Sequence, residues 1–409
     1  MRDQPPPSGL PLERTAGGPP FMTCCYFDHN ATTPVAPEVL EAMLPLLAED
    51  FGNASSIHHY GQRAKHHLET ARRRLAALIH GDPNGIVFLS GATEADNLAL
   101  FGLVRYAPGP DRHVVTTTIE HPAILAACDQ LEREDVQVTR VPVGSSGVID
   151  PGRIRQALRP GTVVVSVMHA NNELGTVQPI AEIARIAHEA GVLFHSDGVQ
   201  ALGKIPVDVE ALGVDLYSIT GHKVYAPKGA GALWVRKGTP LGAIQFGGHQ
   251  ERDRRPGTEN VAGAVAFGAA AAWLSVNAAT EAARLAALRD RLESGMIAKV
   301  PGASVNCASA PRTPNTSSIA FEGINSEALG IALDLKGFAV SGGAACSSGA
   351  AQPSHVLTAI GLSPDASRST VRFSLGRSNT AGQVDELIDA VAISVSRLRA
   401  IAPAGKVHA

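Results

Sequence analysis

The chain has 409 residues, 44% of them hydrophobic and 18% charged, with a formal net charge of −3. That length suits one large domain plus a smaller one, and the near-neutral balance excludes the basic surface that nucleic acid or an anionic membrane face demands. No apolar run in the sequence reads as long enough to span a bilayer.

Residues 1–21, rich in Pro and Gly, lack the apolar core of a secretory signal and are expected to be a disordered tail. Met22 stands just before the first structured-looking segment and offers an alternative start. From about residue 37 to 275, short apolar runs alternate with helical patterns. The predicted strands are IVFLS (86–90), HVVTTT (113–118), VQVTRV (136–141), TVVVSVMHA (162–170), VLFHSD (192–197), VDLYSI (214–219) and GALWVR (231–236). They are β-branched and apolar without alternation, so both faces of their sheet should be buried. Amphipathic stretches such as EADNLALFGLVRY (94–106) and IAEIARIAHEA (180–190) lie between them. This predicts an α/β fold built on a mostly parallel, seven-stranded sheet covered by helices. GALWVR follows its neighbour after a loop too short for a helical crossover, so it should run antiparallel.

An Ala-rich helical region from Val261 to about Val300 comes next, and Gly263, Gly268 and Gly295 predict that it is not one straight helix. Residues 304–400 read as strand, helix, strand, loop, helix, strand, helix. The division expected is a large domain over 36–275 and a smaller α+β domain made of 22–35 and 276–409. Five cysteines, at 24, 25, 128, 307 and 346, show no zinc spacing, which points to a reducing, cytoplasmic setting.

In an open parallel sheet, ligands bind beyond the carboxyl ends of the strands, and the unusual polar residues crowd there. IVFLS runs into GATEADN (91–97), where Ala92 and Thr93 begin a helix after a glycine turn. That is a phosphate cup or a plain helix cap. HVVTTT leads to His121, VVVSVMHANNELG to Asn171, Asn172 and Glu173, VLFHSDGVQALG to Asp197 and Gln200, and VDLYSITGHK to Ser218, Thr220, His222 and Lys223. Singly, such a histidine is a packed residue and such a lysine a surface one, while an acid ending a buried strand is costly unless partnered. Together, five strand ends deliver them to one rim. Pyridoxal phosphate asks for this set: an amine for its aldehyde (Lys223), an acid for its pyridine nitrogen (Asp197), a flat group for its ring face (His121), a partner for its ring hydroxyl (Asn172) and a phosphate site (Thr93, Thr220, His222).

With YFDHNATTP, FGNASSIHHYG, FLSGATEADNLAL, EHPAIL, HANNELGTVQPI, SDGVQALGK, TGHKVYAPKGAGALWVR, GGHQERDRRPGTENV, SGGAACSSGAAQPSHVL and VRFSLGR, the chain resembles the cysteine desulfurases of the NifS/IscS type, among the class V, fold-type I pyridoxal phosphate enzymes. The resemblance runs from about Tyr26 to Arg399. It implies the roles just given, adds Gln200 to the ring hydroxyl and Ala92 to the cofactor site, and makes Thr258 reach the phosphate of a partner subunit, hence a homodimer. It makes Arg372 the clamp for a substrate carboxylate, a task its two-pronged guanidinium suits; the plainer reading pairs Arg372 with a surface acid. Cys346 becomes the nucleophile. Its loop, SGGAACSSGAAQ, is small and polar and should be mobile, which argues against a buried packing cysteine. His249 stands where the family pattern has a third glycine, and Thr220 where serine is frequent.

The activity implied converts L-cysteine to L-alanine, with sulfur held as a persulfide on Cys346 and passed to an acceptor protein such as an iron–sulfur scaffold. Cys346 is then open to acting as a transient iron–sulfur cluster ligand; no other metal site, and no nucleic-acid or membrane partner, is expected. A selenocysteine lyase, another class V enzyme and a non-catalytic scaffold of the same fold are the rival readings. The intact set of Lys223, Asp197, His121, Cys346 and Arg372 argues against the last.

Overall fold

The computed structural model describes residues 24–342 and 353–401. Its main sheet has seven strands in the order Ile86–Leu89, Gly231–Val235, Leu216–Thr220, Leu193–Asp197, Thr162–Ser166, His113–Thr117, Gln137–Val141. Gly231–Val235 is antiparallel to both its neighbours, and the other pairings are parallel. All seven strands lie where the apolar runs predicted them. Successive side chains feed opposite faces. Val87, Val114, Val164 and Leu216 join one apolar cluster with helices Ala92–Val104 and Pro122–Glu132. Phe88, Val115, Val165 and Tyr217 join another with helices His59–Leu78 and Ile180–Glu189. Burial of each such side chain is worth roughly 1.5–3 kcal/mol. One expectation is corrected at the sheet margin. Gln137–Val141 is an edge strand, with no strand on its outer side among the described residues, and is mostly only half-buried, whereas the opposite edge strand Ile86–Leu89 is buried.

The Ala-rich region is a single uninterrupted helix, Val261–Lys299, against the expectation of a break. Two of its glycines serve close approach instead. A Cβ on Gly268 would lie 2.7 Å from the Cα of Ala71 in the crossing helix, and one on Gly295 would collide with Ile388. By length and composition this helix is apolar enough to cross a membrane, which the reading of the sequence had denied. Its apolar residues are spent in cores: Val265, Phe267 and Leu274 in the main one, Leu285, Leu292 and Met296 in a second.

That second core underlies an antiparallel four-stranded sheet, ordered Ser341–Gly342, Thr370–Ser374, Thr316–Phe321, Ala303–Val305. Helices Ser326–Asp334 and Ala381–Ile401 complete it with Leu329, Leu387 and Val391. Near the start of the chain, Cys25–Tyr26 pairs with Phe338–Ala339. The following residues cross back to the main sheet, where the Thr33 N–H donates to the carbonyl of His222 at 2.8 Å. Residues 28–33 therefore run between the two sheets.

Candidate active site

A cavity of about 660 Å³ opens at the carboxyl ends of the main-sheet strands. Arg372, Ser341 and Gly342 of the smaller sheet form its far wall. Ala92, Thr93, His121, Asn172, Asp197, Gln200, Thr220, His222, Lys223 and Arg372 all line it. Thr258 does not; it lines a separate pocket of about 160 Å³ that shares Ser90 and Gly229 with the cavity. Cys346 lies outside the described residues. The described chain leaves the cavity wall at Ser341 and Gly342 and resumes at 353. There Ser354 donates to the Glu173 carboxylate at 2.6 Å, and Glu173 is itself part of the wall.

Lys223 ends a short 3-10 turn, Gly221–Lys223, at the tip of strand Leu216–Thr220. Its Nζ donates to the carbonyls of Asn30 and Ala31, both at 2.6 Å. Burial, then the charge of Arg372, pushes its pKa down to about 8. Asp197 ends strand Leu193–Asp197, is 5% exposed, and accepts the Val199 N–H at 2.9 Å. Burial raises its pKa, with His121 and Lys223 pulling the other way. The next residue must be glycine, since a Cβ on Gly198 would enter the ring of Tyr217.

His121 caps helix Pro122–Glu132, its Nδ1 accepting the Ala123 N–H at 3.1 Å. That fixes the tautomer: in the neutral ring the proton sits on Nε2. Burial lowers its pKa, so the ring is neutral near pH 7. His222 is held neutral in the same way, with its pKa down to about 4 by burial and then by Lys223. Asn171 and Asn172 separate by task. Asn171 builds the turn, accepting the Glu173 and Leu174 N–H groups at 2.9 Å, while Asn172 lines the cavity. Ser218 does not line it; it bonds His195 at 2.9 Å within the protein.

Helix Ala92–Val104 starts at the cavity with no side-chain cap, so its first N–H groups and positive dipole end are available to an anion. The turn reaches this point because Gly231 passes so near that a Cβ on it would lie 2.5 Å from the Gly91 Cα. At the other wall Arg372 donates from Nη2 to Asp28 at 2.5 Å and from Nη1 to the Asn172 carbonyl at 3.1 Å.

His249 adopts φ −89° and ψ 20°, a conformation open to any residue, and pairs with Asp253 at 2.5 Å on the exposed surface. Its replacement of a glycine therefore costs the backbone nothing. In this turn the left-handed residues are Glu251, Arg252 and Asp253, with φ of 45°, 58° and 64°. Reasoning from the sequence missed Asp28, Asn30 and Lys204. All sit in quoted motifs, but no local pattern marks them, because their partners lie far away in the chain.

The chain matches the family Aminotransferase class-V over residues 25–387. It is 47% identical over 381 residues to the "Cysteine desulfurase IscS" of Anaeromyxobacter sp. (strain Fw109-5), covering 92% of this chain and 94% of that one. A solved "NifS-like protein" superposes with a TM-score of 0.86 at 35% identity, covering 92% of this chain and 100% of the other. The structure of "SspA in complex with cysteine" gives 0.77 at 36% identity, covering 86% and 98%. With the seven-stranded sheet and the cavity at its strand ends, these likenesses make the chain a member of the class-V aminotransferase family.

Proposed function

We propose that this chain is a pyridoxal phosphate-dependent cysteine desulfurase, turning L-cysteine into L-alanine and passing the sulfur on from Cys346. The observation that carries the reading is the convergence of Lys223, Asp197 and Arg372 on one cavity. The residues fit the cofactor. Asp197 is a buried carboxylate with no salt bridge among the described residues, which suits a cationic ring nitrogen. The uncapped helix start at Ala92 and Thr93, with Thr220 and His222, suits a phosphate. Gln200, Asn172 and His121 remain for the ring. Thr258, outside this chain's own cavity, is free for a partner's phosphate.

Bound there, the cofactor supplies the electron sink that lets a substrate α-carbon lose its proton. Lys223, with its amine tuned toward neutrality, is the base for that proton. Arg372 holds the substrate carboxylate, and Asn172 supports both through its own position on the wall. His121, with Nε2–H toward the cavity side, serves proton transfer in the later steps. Cys346, as thiolate, takes the substrate's sulfur: a sulfur–sulfur bond forms as the carbon–sulfur bond breaks. The bonding pair stays with the substrate carbon, which is protonated and leaves as alanine.

The reading extends to the assembly and setting. Leu44, Leu47, Phe51 and Ile57 are exposed and apolar within one short segment, as a homodimer contact requires. We divide the domains as 36–275 against 22–35 plus 276–409; the core that joins Phe27, Leu285, Leu292, Val371 and Val391 supports this division, while Val356, Leu357 and Ile360 reach across into the main core. Cysteines 24, 25, 128 and 307 are free, as suits a reducing cytoplasm. The sulfur acceptor is a scaffold protein of iron–sulfur assembly.

The test is to incubate the purified protein with L-cysteine and a reductant and to measure alanine and sulfide together. Equal, catalytic amounts of both are expected. Pyruvate in place of alanine would make the reaction a β-elimination. Turnover of L-selenocysteine alone would move the assignment to a selenocysteine lyase.

A further inference from the structure

Lys204 takes no part in the reaction described above, yet it lies against the residues that do. Its Nζ donates to two carboxamide oxygens, Oε1 of Gln200 and, at 3.0 Å, Oδ1 of Asn30. No carboxylate pairs with it among the described residues. Burial and the charges of Lys223 and Arg372 press against its proton, and the two amide oxygens are its hydrogen-bond partners.

In its charged form a lysine amine has three donors and no acceptor. A carboxamide facing it must therefore turn its oxygen inward and its NH₂ away. This removes the ambiguity between amide oxygen and nitrogen that otherwise attends such groups. For Gln200 the consequence is visible in its other contact: Nε2 donates to the Asn30 carbonyl at 3.1 Å, while the side chain lines the cavity. One N–H of Gln200 is thus committed to Asn30, and the second remains for the cavity. For Asn30, Nδ2 is turned to the Asn172 carbonyl at 3.0 Å and to Thr316 Oγ1 at 2.8 Å, and its Oδ1 also accepts from Asn315 at 3.0 Å. The Asn30 carbonyl in turn receives Lys223 Nζ. Asn30 joins both sheets, and Lys204 and Asn315 together set which way its amide faces.

We propose that Lys204 is a positioning residue that locks Gln200 as a hydrogen-bond donor into the cavity, toward the anionic ring oxygen of the bound cofactor. This rests on the pyridoxal phosphate reading of the same cavity. Without Lys204 only the Asn30 carbonyl, at 3.1 Å from Nε2, holds the Gln200 amide against a flip that would present an acceptor to that oxygen and repel it.

The test compares the holoenzyme with K204M, K204R, Q200L and the K204M/Q200L double variant. The readouts are the visible absorption band of the cofactor, which reports the state of the ring oxygen, and the dissociation constant for pyridoxal phosphate. K204M is expected to shift the band and weaken cofactor binding roughly tenfold, as befits a misdirected hydrogen bond to a charged oxygen. K204R, which keeps the donors, should retain the wild-type band. In the Q200L background K204M should add little, because Lys204 acts through Gln200. A wild-type band and affinity in K204M, or an equal effect of K204M with and without Gln200, would overturn the proposal. Should K204M fail to fold, Q200E asks the same question. It keeps Lys204 paired but offers the cavity no N–H, and a wild-type band there would also overturn it. Wild-type protein that takes up no pyridoxal phosphate would sink the proposed function and this inference together; normal uptake with an unaltered K204M sinks this inference alone.

Discussion

Asp28 already holds the guanidinium of Arg372, with Oδ1 2.5 Å from Nη2. The remaining donor edge is partly free: Nη1 meets the Asn172 carbonyl, and Nε is buried without a partner among the described residues. A substrate carboxylate that comes to Arg372 must therefore share it with an acid. Asp28→Asn keeps an acceptor and removes the competing charge, so the KM for L-cysteine should fall several-fold with kcat nearly unchanged. Arg372→Lys loses the planar fork, and kcat/KM should fall by about tenfold or more. Steady-state kinetics on both variants checks this. A higher KM in Asp28→Asn would show that Asp28 serves to aim Arg372, not to compete for it.

On the proposed function, the amine of Lys223 must be neutral to capture the cofactor's aldehyde. With its pKa pushed down to about 8, roughly a tenth of it is neutral at pH 7, against about one part in three thousand for an ordinary lysine. The sign follows: capture of pyridoxal phosphate by apoprotein should speed up as pH rises from 6 to 8, by roughly fifty-fold, and level off above about pH 9. Arg372, the second cause of the shift, supplies a control. Arg372→Met should move the midpoint of this curve upward. Rapid-mixing absorbance follows the capture directly, and a rate independent of pH between 6 and 8 would contradict the assignment.

The strands of the main sheet were legible because runs such as TVVVS are short, β-branched and without helical periodicity. The antiparallel turn of Gly231–Val235 was legible from loop length alone. The long helix was misjudged because glycine reads locally as a breaker, whereas Gly268 and Gly295 answer to Ala71 and Ile388, which lie far away in the sequence. The site divides along the same line. Lys223, Asp197, His121 and Asn172 stood out because a polar residue at the end of an apolar strand is costly unless used. Asp28, Asn30 and Lys204 have no such background. Their importance comes from contacts such as Lys223 to Asn30, made 193 residues apart. Residue type and spacing say nothing about a partner at that distance.

We propose Cys346 as the sulfur acceptor within the protein, so removing its thiol should separate binding from sulfur transfer. Cys346→Ala should remain yellow, bind L-cysteine with a change in the visible spectrum, and release no sulfide. Lys223→Ala should lose turnover and covalent cofactor attachment together. Sulfide release by Cys346→Ala at the wild-type rate would mean that another nucleophile, or none, takes the sulfur.

A buried ion pair fixes the strained turn next to Thr258. Arg72 and Glu251 are 3% and 6% exposed, and they form two parallel contacts of 2.8 and 2.7 Å. Glu251 also accepts the Phe88 N–H at 2.8 Å, and Arg72 donates to the Ile86 carbonyl at 2.6 Å. The pair ties the turn to the first strand of the main sheet. Glu251, Arg252 and Asp253 all sit in the left-handed region, at a cost of roughly 1–2 kcal/mol for each non-glycine residue. Glu251→Ala strips Arg72 of its bidentate partner, leaving it Glu69 at 3.1 Å and the Ile86 carbonyl, and leaves the Phe88 N–H without its carboxylate, so it should destabilise the protein by up to about 3–5 kcal/mol. Replacing both members by Met removes the orphaned charge, and the double variant should lose less than Glu251→Ala does. Guanidinium denaturation of both variants provides the comparison. If Glu251→Ala costs under about 1 kcal/mol, the turn is held by something other than this pair; if the double variant loses the sum of the two single effects, the penalty is lost attraction rather than stranded charge.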